Sequence, residues 1–146
     1  MALSPSPGYV SFSEKLGAIF DVCSQTKNYR MMPLLNLRAW IIPAIELNQA
    51  VVFYAPTGAA LAYFSWAYLS KDDSRDFCMG RSRPFTQNQR LGGEDFWITD
   101  LAACDGALPM VIDYIKERVA SEVAVINFKA KRRHGSLRYT RKPKQS

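Results

Sequence analysis

The chain is poor in the residues that build disulfide and zinc frameworks. It holds three cysteines and one histidine in 146 residues. The cysteines are widely separated and no two of them form a CxxC pair, which argues against a disulfide scaffold and against a zinc site. We therefore interpret Cys23, Cys78 and Cys104 as small buried hydrophobic residues. We expect no bound metal, and the single histidine is His134.

Long hydrophobic runs are also missing. The longest run, LAYFSWAYL at 61–69, is far too short to cross a bilayer as a helix. The first residues, MALSPSPGY, have neither the basic nor the apolar region of a signal peptide. The sequence contains no glycine-rich phosphate loop and no dinucleotide fingerprint. From these absences we expect a cytoplasmic protein with no membrane span.

The composition is that of a folded domain with a basic end. At 48% hydrophobic residues, 146 residues suit one domain over 1–146, with a frayed basic tail from about 141 to 146. The net charge is +6, and eight of the nineteen basic residues lie between 129 and 144. Such a cluster favours an acidic partner, which can be nucleic acid, an acidic protein or a membrane surface.

The pattern of residues predicts a mixed α/β domain. Helical spacing after a Ser11–Glu14 capping box predicts a helix over 12–24. A second helix is predicted from Pro33 to about 42; Pro43 breaks or kinks it, and 44–49 form its last turn. A hairpin of 50–55 and 59–68, a short helix in 70–79 and a polar loop over 80–94 follow. The last predictions are a central strand over 96–101, a helix capped by Asp105 over 107–119, and strands over 123–129 and 136–140. This order favours a mixed sheet flanked by helices.

The segment FWITDLAA at 96–103 places one carboxylate, Asp100, in an otherwise buried strand. An unpaired carboxylate there costs several kcal/mol, so Asp100 needs either a partner or a chemical task. The structural alternative is an ion pair between Asp100 and a nearby arginine.

Three segments resemble those of the RTX toxin-activating lysine acyltransferases, the hemolysin-activating family. They are IIPAIELNQ at 41–49, LAYFSWAYLS at 61–70 and WITDLAACDG at 97–106, and they occur in the family's order with compatible spacing. The resemblance runs from about 24 to 139. It implies a fold related to the GCN5-type acetyltransferases. It also implies transfer of a fatty acyl group from acyl carrier protein, with acyl-CoA as an alternative donor, to an internal lysine of a protoxin.

The same resemblance assigns the candidate catalytic residues. The family's essential aspartate falls on Asp100, its histidine position on Tyr29 and its nearby serine position on Thr26. Since tyrosine has an ordinary pKa near ~10, Tyr29 is a poor base at neutral pH but can donate a hydrogen bond to a leaving thiolate or an oxyanion. Asp100 would then handle the proton, with Tyr29 and Thr26 lining the thioester. A thiol at Cys104 could in principle be acylated.

Three functions remain open from the sequence. The first is a divergent acyltransferase whose basic residues Lys131, Arg132 and Arg133 dock acyl carrier protein. The second is a catalytically inactive protein of the same fold that still binds the carrier or a target. The third is a nucleic-acid binder that uses the same cluster with Phe128 and Tyr139 as interleaved aromatics. A homodimer is also left open.

Overall fold

The computed structural model describes residues 4–5, 11–80, 83–119 and 121–129. It contains five strands and five helices within these ranges, the last helix continuing into a π-helical segment. In chain order they are β1 Ser4–Pro5, α1 Phe12–Ser24, α2 Leu34–Glu46, β2 Ala50–Tyr54, β3 Ala60–Leu69, α3 Lys71–Cys78, α4 Gln87–Arg90, β4 Asp95–Ala103, α5 Leu108–Tyr114 with its π-helical continuation Ile115–Val119, and β5 Asn127–Phe128.

The predicted mixed sheet flanked by helices is confirmed. The strands lie in the order β1-β2-β3-β4-β5, and every neighbouring pair is antiparallel except β4 and β5, which are parallel. The strand that carries Asp100, β4, is an interior strand, although the middle position belongs to β3. Within the described residues, β5 pairs only with Trp97 and Ile98, so the second half of β4 has a strand neighbour on one side.

The two faces of the sheet carry different helices. Helices α1 and α2 cover one face through a core that includes Val22, Ile41 and the strand residues Tyr63 and Ala102. Helix α5 covers the opposite face. Burial of this apolar surface is the main favourable term that holds both layers on the sheet. Because both faces are covered, a polar side chain on β3 or β4 is enclosed wherever it points away from the strands.

The start of α2 differs from the sequence-based expectation, whereas its continuation beyond Pro43 agrees with the last turn predicted at 44–49. Pro33 is the N-cap residue of α2 and precedes its first turn, and the helix continues through Pro43 to Glu46. Pro43 has no backbone N–H and therefore cannot donate to the carbonyl of Ala39, which belongs to an exposed residue. The last turn of α2 still forms because the helix is packed against its neighbours. The helix ends at Glu46 with Leu47 as its C-cap residue, and the next residue, Asn48, has a φ of 56°, a left-handed conformation that asparagine tolerates.

Three further predictions are corrected. Asp105 does not cap α5, because the N-cap is Ala107 and makes no side-chain hydrogen bond. The predicted loop at 80–94 contains α4, which begins with a complete capping box of Thr86 and Gln89. The strand expected over 123–129 is reduced to Asn127–Phe128, consistent with its weak alternation of apolar and polar residues.

Several predictions fall outside the described residues. They concern the strand over 136–140, the basic tail, His134, and the docking residues Lys131, Arg132 and Arg133. In the ranges that are described, no helix is both long enough and apolar enough to cross a membrane.

Candidate active site

A bulge between β3 and β4 creates the polar site. Ser65 pairs with Asp100 and Trp66 pairs with Ile98, so Thr99 is an extra residue in β4. The Ser65 hydroxyl lies 2.7 Å from the Thr99 hydroxyl and donates to Oδ2 of Asp100 at 2.8 Å. Two consecutive residues of β4 thus face the same neighbour, which regular alternation along a strand would forbid. The bulge brings both side chains to the face covered by α1 and α2.

Asp100 is buried at 9% exposure and accepts two hydrogen bonds. Besides the bond from Ser65, its Oδ1 accepts a long hydrogen bond of 3.5 Å from the Tyr29 hydroxyl. Burial raises the pKa of Asp100 above its ordinary value. The hydrogen bond from Ser65, the positive charge of Arg90 and the hydrogen bond from Tyr29 act to lower that pKa. Burial is the largest of these effects, so protonation of this carboxylate is easier than that of an exposed aspartate.

Tyr29 reaches Asp100 from the turn that links α1 to α2. The backbone N–H groups of Tyr29 and Arg30 both donate to the carbonyl of Thr26, which fixes this turn. The Tyr29 ring meets the ring of Tyr63 edge-on, with centroids 6.3 Å apart. Burial, followed by the charge of Asp100, raises the pKa of Tyr29 far above its ordinary value. Tyr29 therefore stays a phenol and acts as a donor.

Thr26 lies beside this pair but uses its hydroxyl locally. Its side chain is buried, and Oγ1 donates to the carbonyl of Cys23 at 3.2 Å, within the turn that ends α1. The structure thus joins Asp100 and Tyr29 by a direct contact and places Thr26 in the turn that carries Tyr29. Whether Thr26 lines the thioester stays a prediction.

Arg90 is the residue that sequence reasoning missed. It ends α4 and is fully buried; its guanidinium donates to the carbonyls of Trp66 at 3.1 Å and Trp40 at 3.0 Å, and to Thr99 Oγ1 at 3.5 Å. The available signal was the Thr-x-x-Gln capping box just before it, in a segment otherwise typical of a loop. An arginine does lie near Asp100, as the structural alternative required, but its hydrogen bond goes to Thr99 in place of the carboxylate.

Two cysteines lie near the site without the properties of nucleophiles. Cys23 is buried beside Tyr63 and Asp100, and burial raises the pKa of its thiol to about 12. Cys104 follows β4; burial, then the charges of Asp21 and Asp105, raises the pKa of its thiol as well. A thiol is a weak nucleophile compared with its thiolate, so neither side chain is set up to accept an acyl group.

An apolar and basic surface adjoins the Tyr29 turn. We call it the α2 patch. Its large apolar members are Met31, Leu34 and Leu35, which are 85%, 68% and 76% exposed. Its basic members are Lys27, Arg30 and Arg38, all exposed, and no acidic residue occurs between Asp21 and Glu46. Exposed aliphatic side chains grouped with charges of one sign are typical of a protein contact surface.

The mixed sheet flanked by helices is consistent with an acetyltransferase-like domain, and it carries a buried carboxylate at a strand bulge. A protein-family model, that of the RTX toxin acyltransferase family, matches residues 9–142, which is most of the chain. The chain belongs to this family of toxin-activating acyltransferases. No curated protein matches it.

Proposed function

We propose that this protein transfers a fatty acyl group from acyl carrier protein to an internal lysine of a toxin-like target. The observation that carries the proposal is the contact between Tyr29 and Asp100, because the resemblance assigns the family's histidine and aspartate to these two positions. The family membership supports acyl transfer, and the geometry supplies two groups with complementary roles.

The reaction exchanges a thioester for an amide. The lysine nitrogen attacks the thioester carbonyl, a C–N bond forms, and the C–S bond breaks. Asp100 accepts the proton that the amine must lose, and its raised pKa brings it closer to the neutral range where a base is most effective. The single proton of the Tyr29 hydroxyl is donated to Asp100 before the reaction; once Asp100 has taken the amine proton, this hydroxyl is released to donate to the developing oxyanion or to the leaving thiolate. The proton taken by Asp100 is finally released with the carrier thiol.

The α2 patch supports a protein-bound donor. Acyl carrier proteins are acidic, so Lys27, Arg30 and Arg38 complement their charge, and the exposed aliphatic residues offer apolar contact. Lys131, Arg132 and Arg133 are proposed as a second basic docking element, in agreement with the net charge of +6. Acyl-CoA remains the alternative donor, and its smaller surface would engage fewer of these residues.

The test is acyl transfer to a large glycine- and aspartate-rich repeat protein, sought among the genes that neighbour the gene of this chain. The purified protein is incubated with that target and with acyl carrier protein loaded with a fatty acyl chain, and peptide mass spectrometry locates the added mass. A fatty acyl amide on one internal lysine supports the proposal. Absence of transfer from both acyl carrier protein and acyl-CoA would reject it.

One observation favours a non-catalytic alternative. Tyr29 falls on the position that the resemblance assigns to the family's histidine, and its raised pKa prevents it from serving as a base. A protein of this fold that binds acyl carrier protein or the target without turnover would tolerate that replacement. Binding measured by calorimetry in the absence of transfer would identify this function. Binding to nucleic acid in place of the carrier would instead identify the third function considered above.

A further inference from the structure

Arg90 is a buried cation that contacts no carboxylate among the residues that the structure describes. Burying a charge is costly unless a counter-charge or hydrogen bonds compensate for it. Its hydrogen bonds go to two backbone carbonyls and to Thr99, all of them neutral acceptors. The charge of Asp100 is nevertheless the largest influence that favours the protonated guanidinium. The two buried ions therefore stabilise each other across the hydroxyls that separate them.

The hydroxyls between these ions have only one consistent orientation. A guanidinium can donate and cannot accept, so Thr99 accepts from Arg90. An ionised carboxylate can accept and cannot donate, so Ser65 uses its single proton toward Asp100. The hydrogen bond between Ser65 and Thr99 must then run from Thr99 to Ser65. The proton of each of these three hydrogen bonds therefore points away from Arg90 and toward Asp100.

We propose that Arg90, Thr99 and Ser65 form a polarised chain of hydrogen bonds that positions the Asp100 carboxylate for its role in acyl transfer. Arg90 and Thr99 are thus positioning residues that act through Ser65. This chain of hydrogen bonds ends on Oδ2 of Asp100 and leaves Oδ1 for the hydrogen bond from Tyr29. A direct ion pair would instead draw the carboxylate toward Arg90. The catalytic part of this inference rests on the proposed function, whereas the coupling to Asp100 does not.

Thr99 offers the sharpest substitutions because its hydroxyl is the link between Arg90 and Ser65 in this chain of hydrogen bonds. Thr99→Val keeps the branched shape and the strand preference but removes the hydroxyl. Arg90 retains its two carbonyl acceptors, so the variant should fold. Thr99→Ser restores the hydroxyl. Ser74→Ala is the matched control, because Ser74 Oγ donates to Oδ2 of Asp95 at 3.0 Å, a second serine–aspartate contact outside the site.

Two measurements on the full chain test the proposal. The first is the carboxyl carbon shift of Asp100 in NMR, followed against pH. The second is the pH dependence of kcat/KM for acyl transfer. Thr99→Val should move the titration of Asp100 and the acidic limb of the profile to higher pH, and it should lower the rate near neutral pH by about tenfold. Thr99→Ser should reverse both changes, and Ser74→Ala should cause neither.

The outcomes separate this inference from the proposed function. If wild type transfers no acyl group but Thr99→Val still shifts the Asp100 titration, the chain of hydrogen bonds is supported and the proposed reaction fails. If Thr99→Val lowers the thermal midpoint and the rate while the Asp100 titration stays in place, Thr99 is merely structural and the inference is overturned. Failure of Thr99→Ser to restore the titration would overturn it equally.

Discussion

The Tyr29 hydroxyl lies 3.5 Å from Oδ1 of Asp100, although 71 residues separate the two in sequence. One residue comes from a turn between helices and the other from a bulged strand, so the packing of α1 and α2 on the sheet creates their contact. The contact places a hydrogen-bond donor beside a carboxylate whose pKa is raised by burial. This pair is the basis for the first two predictions.

Asp100→Asn should lower the rate of acyl transfer by a factor of about 10² or more, the usual scale for loss of a general base. Asparagine has nearly the same shape and can still accept from Ser65, so the fold should persist. Steady-state rates with saturating donor and target measure the effect, and circular dichroism serves as the control for folding. Full activity in this variant would mean that the carboxylate is structural.

Tyr29 tests the donor role separately from the base role. Tyr29→Phe keeps the ring against Tyr63 and removes only the hydroxyl, so it should lower kcat by roughly tenfold or more through loss of one donor to the transition state. Tyr29→His introduces the histidine that the resemblance assigns to this position, and it should hold or raise the rate. If only the histidine variant transfers acyl groups, the natural protein is a non-catalytic member.

Asp100 should also leave a signature in the dependence of stability on pH. Its folded pKa is raised above the unfolded value, so the folded state retains a proton that the unfolded state has lost. Stability from this group therefore falls as pH rises from the unfolded pKa of 3.8 to the higher folded pKa, and then levels off. Asp100→Asn removes this penalty.

Thermal unfolding across pH measures that signature. The Asp100→Asn variant should unfold a few degrees above wild type at neutral pH, and the difference should shrink toward pH values at or below 3.8. The control for the exchange of aspartate by asparagine is Asp113→Asn, at an exposed position of α5. A neutral-pH midpoint below that of wild type would show that the ionised carboxylate stabilises the fold.

Much of the frame could be predicted because its signals are local. Helix α1 follows from Ser11 and the apolar spacing behind it, and the β2–β3 hairpin follows from two β-rich runs around a Pro-Thr-Gly turn. Asp100 could be singled out because a carboxylate in an apolar strand conflicts with its surroundings. That conflict is visible without any knowledge of the fold.

The partners of Asp100 could not be predicted because they depend on register and packing. The bulge that turns Thr99 toward Ser65 changes the pairing by one residue and leaves no mark on the local pattern. Arg90 lies in a polar segment, and only the close approach of chain segments buries it. Gly93 contributes to that approach, because a Cβ atom there would fall 2.1 Å from the carbonyl oxygen of Leu69. Such contacts are tertiary, and no propensity anticipates them.

The α2 patch makes the last prediction. Reversing two of its charges with Lys27→Glu and Arg30→Glu should raise the KM for acyl carrier protein by about tenfold and flatten its dependence on salt, because electrostatic attraction contributes to docking. Transfer from acyl-CoA, which lacks the acidic carrier surface, should change much less. Lys116→Glu with Arg118→Glu is the matched control, since both residues are exposed in the π-helical segment after α5. Equal losses with the two donors would mean that these substitutions disturb the Tyr29 turn. No loss with either donor would mean that the carrier docks elsewhere on the chain.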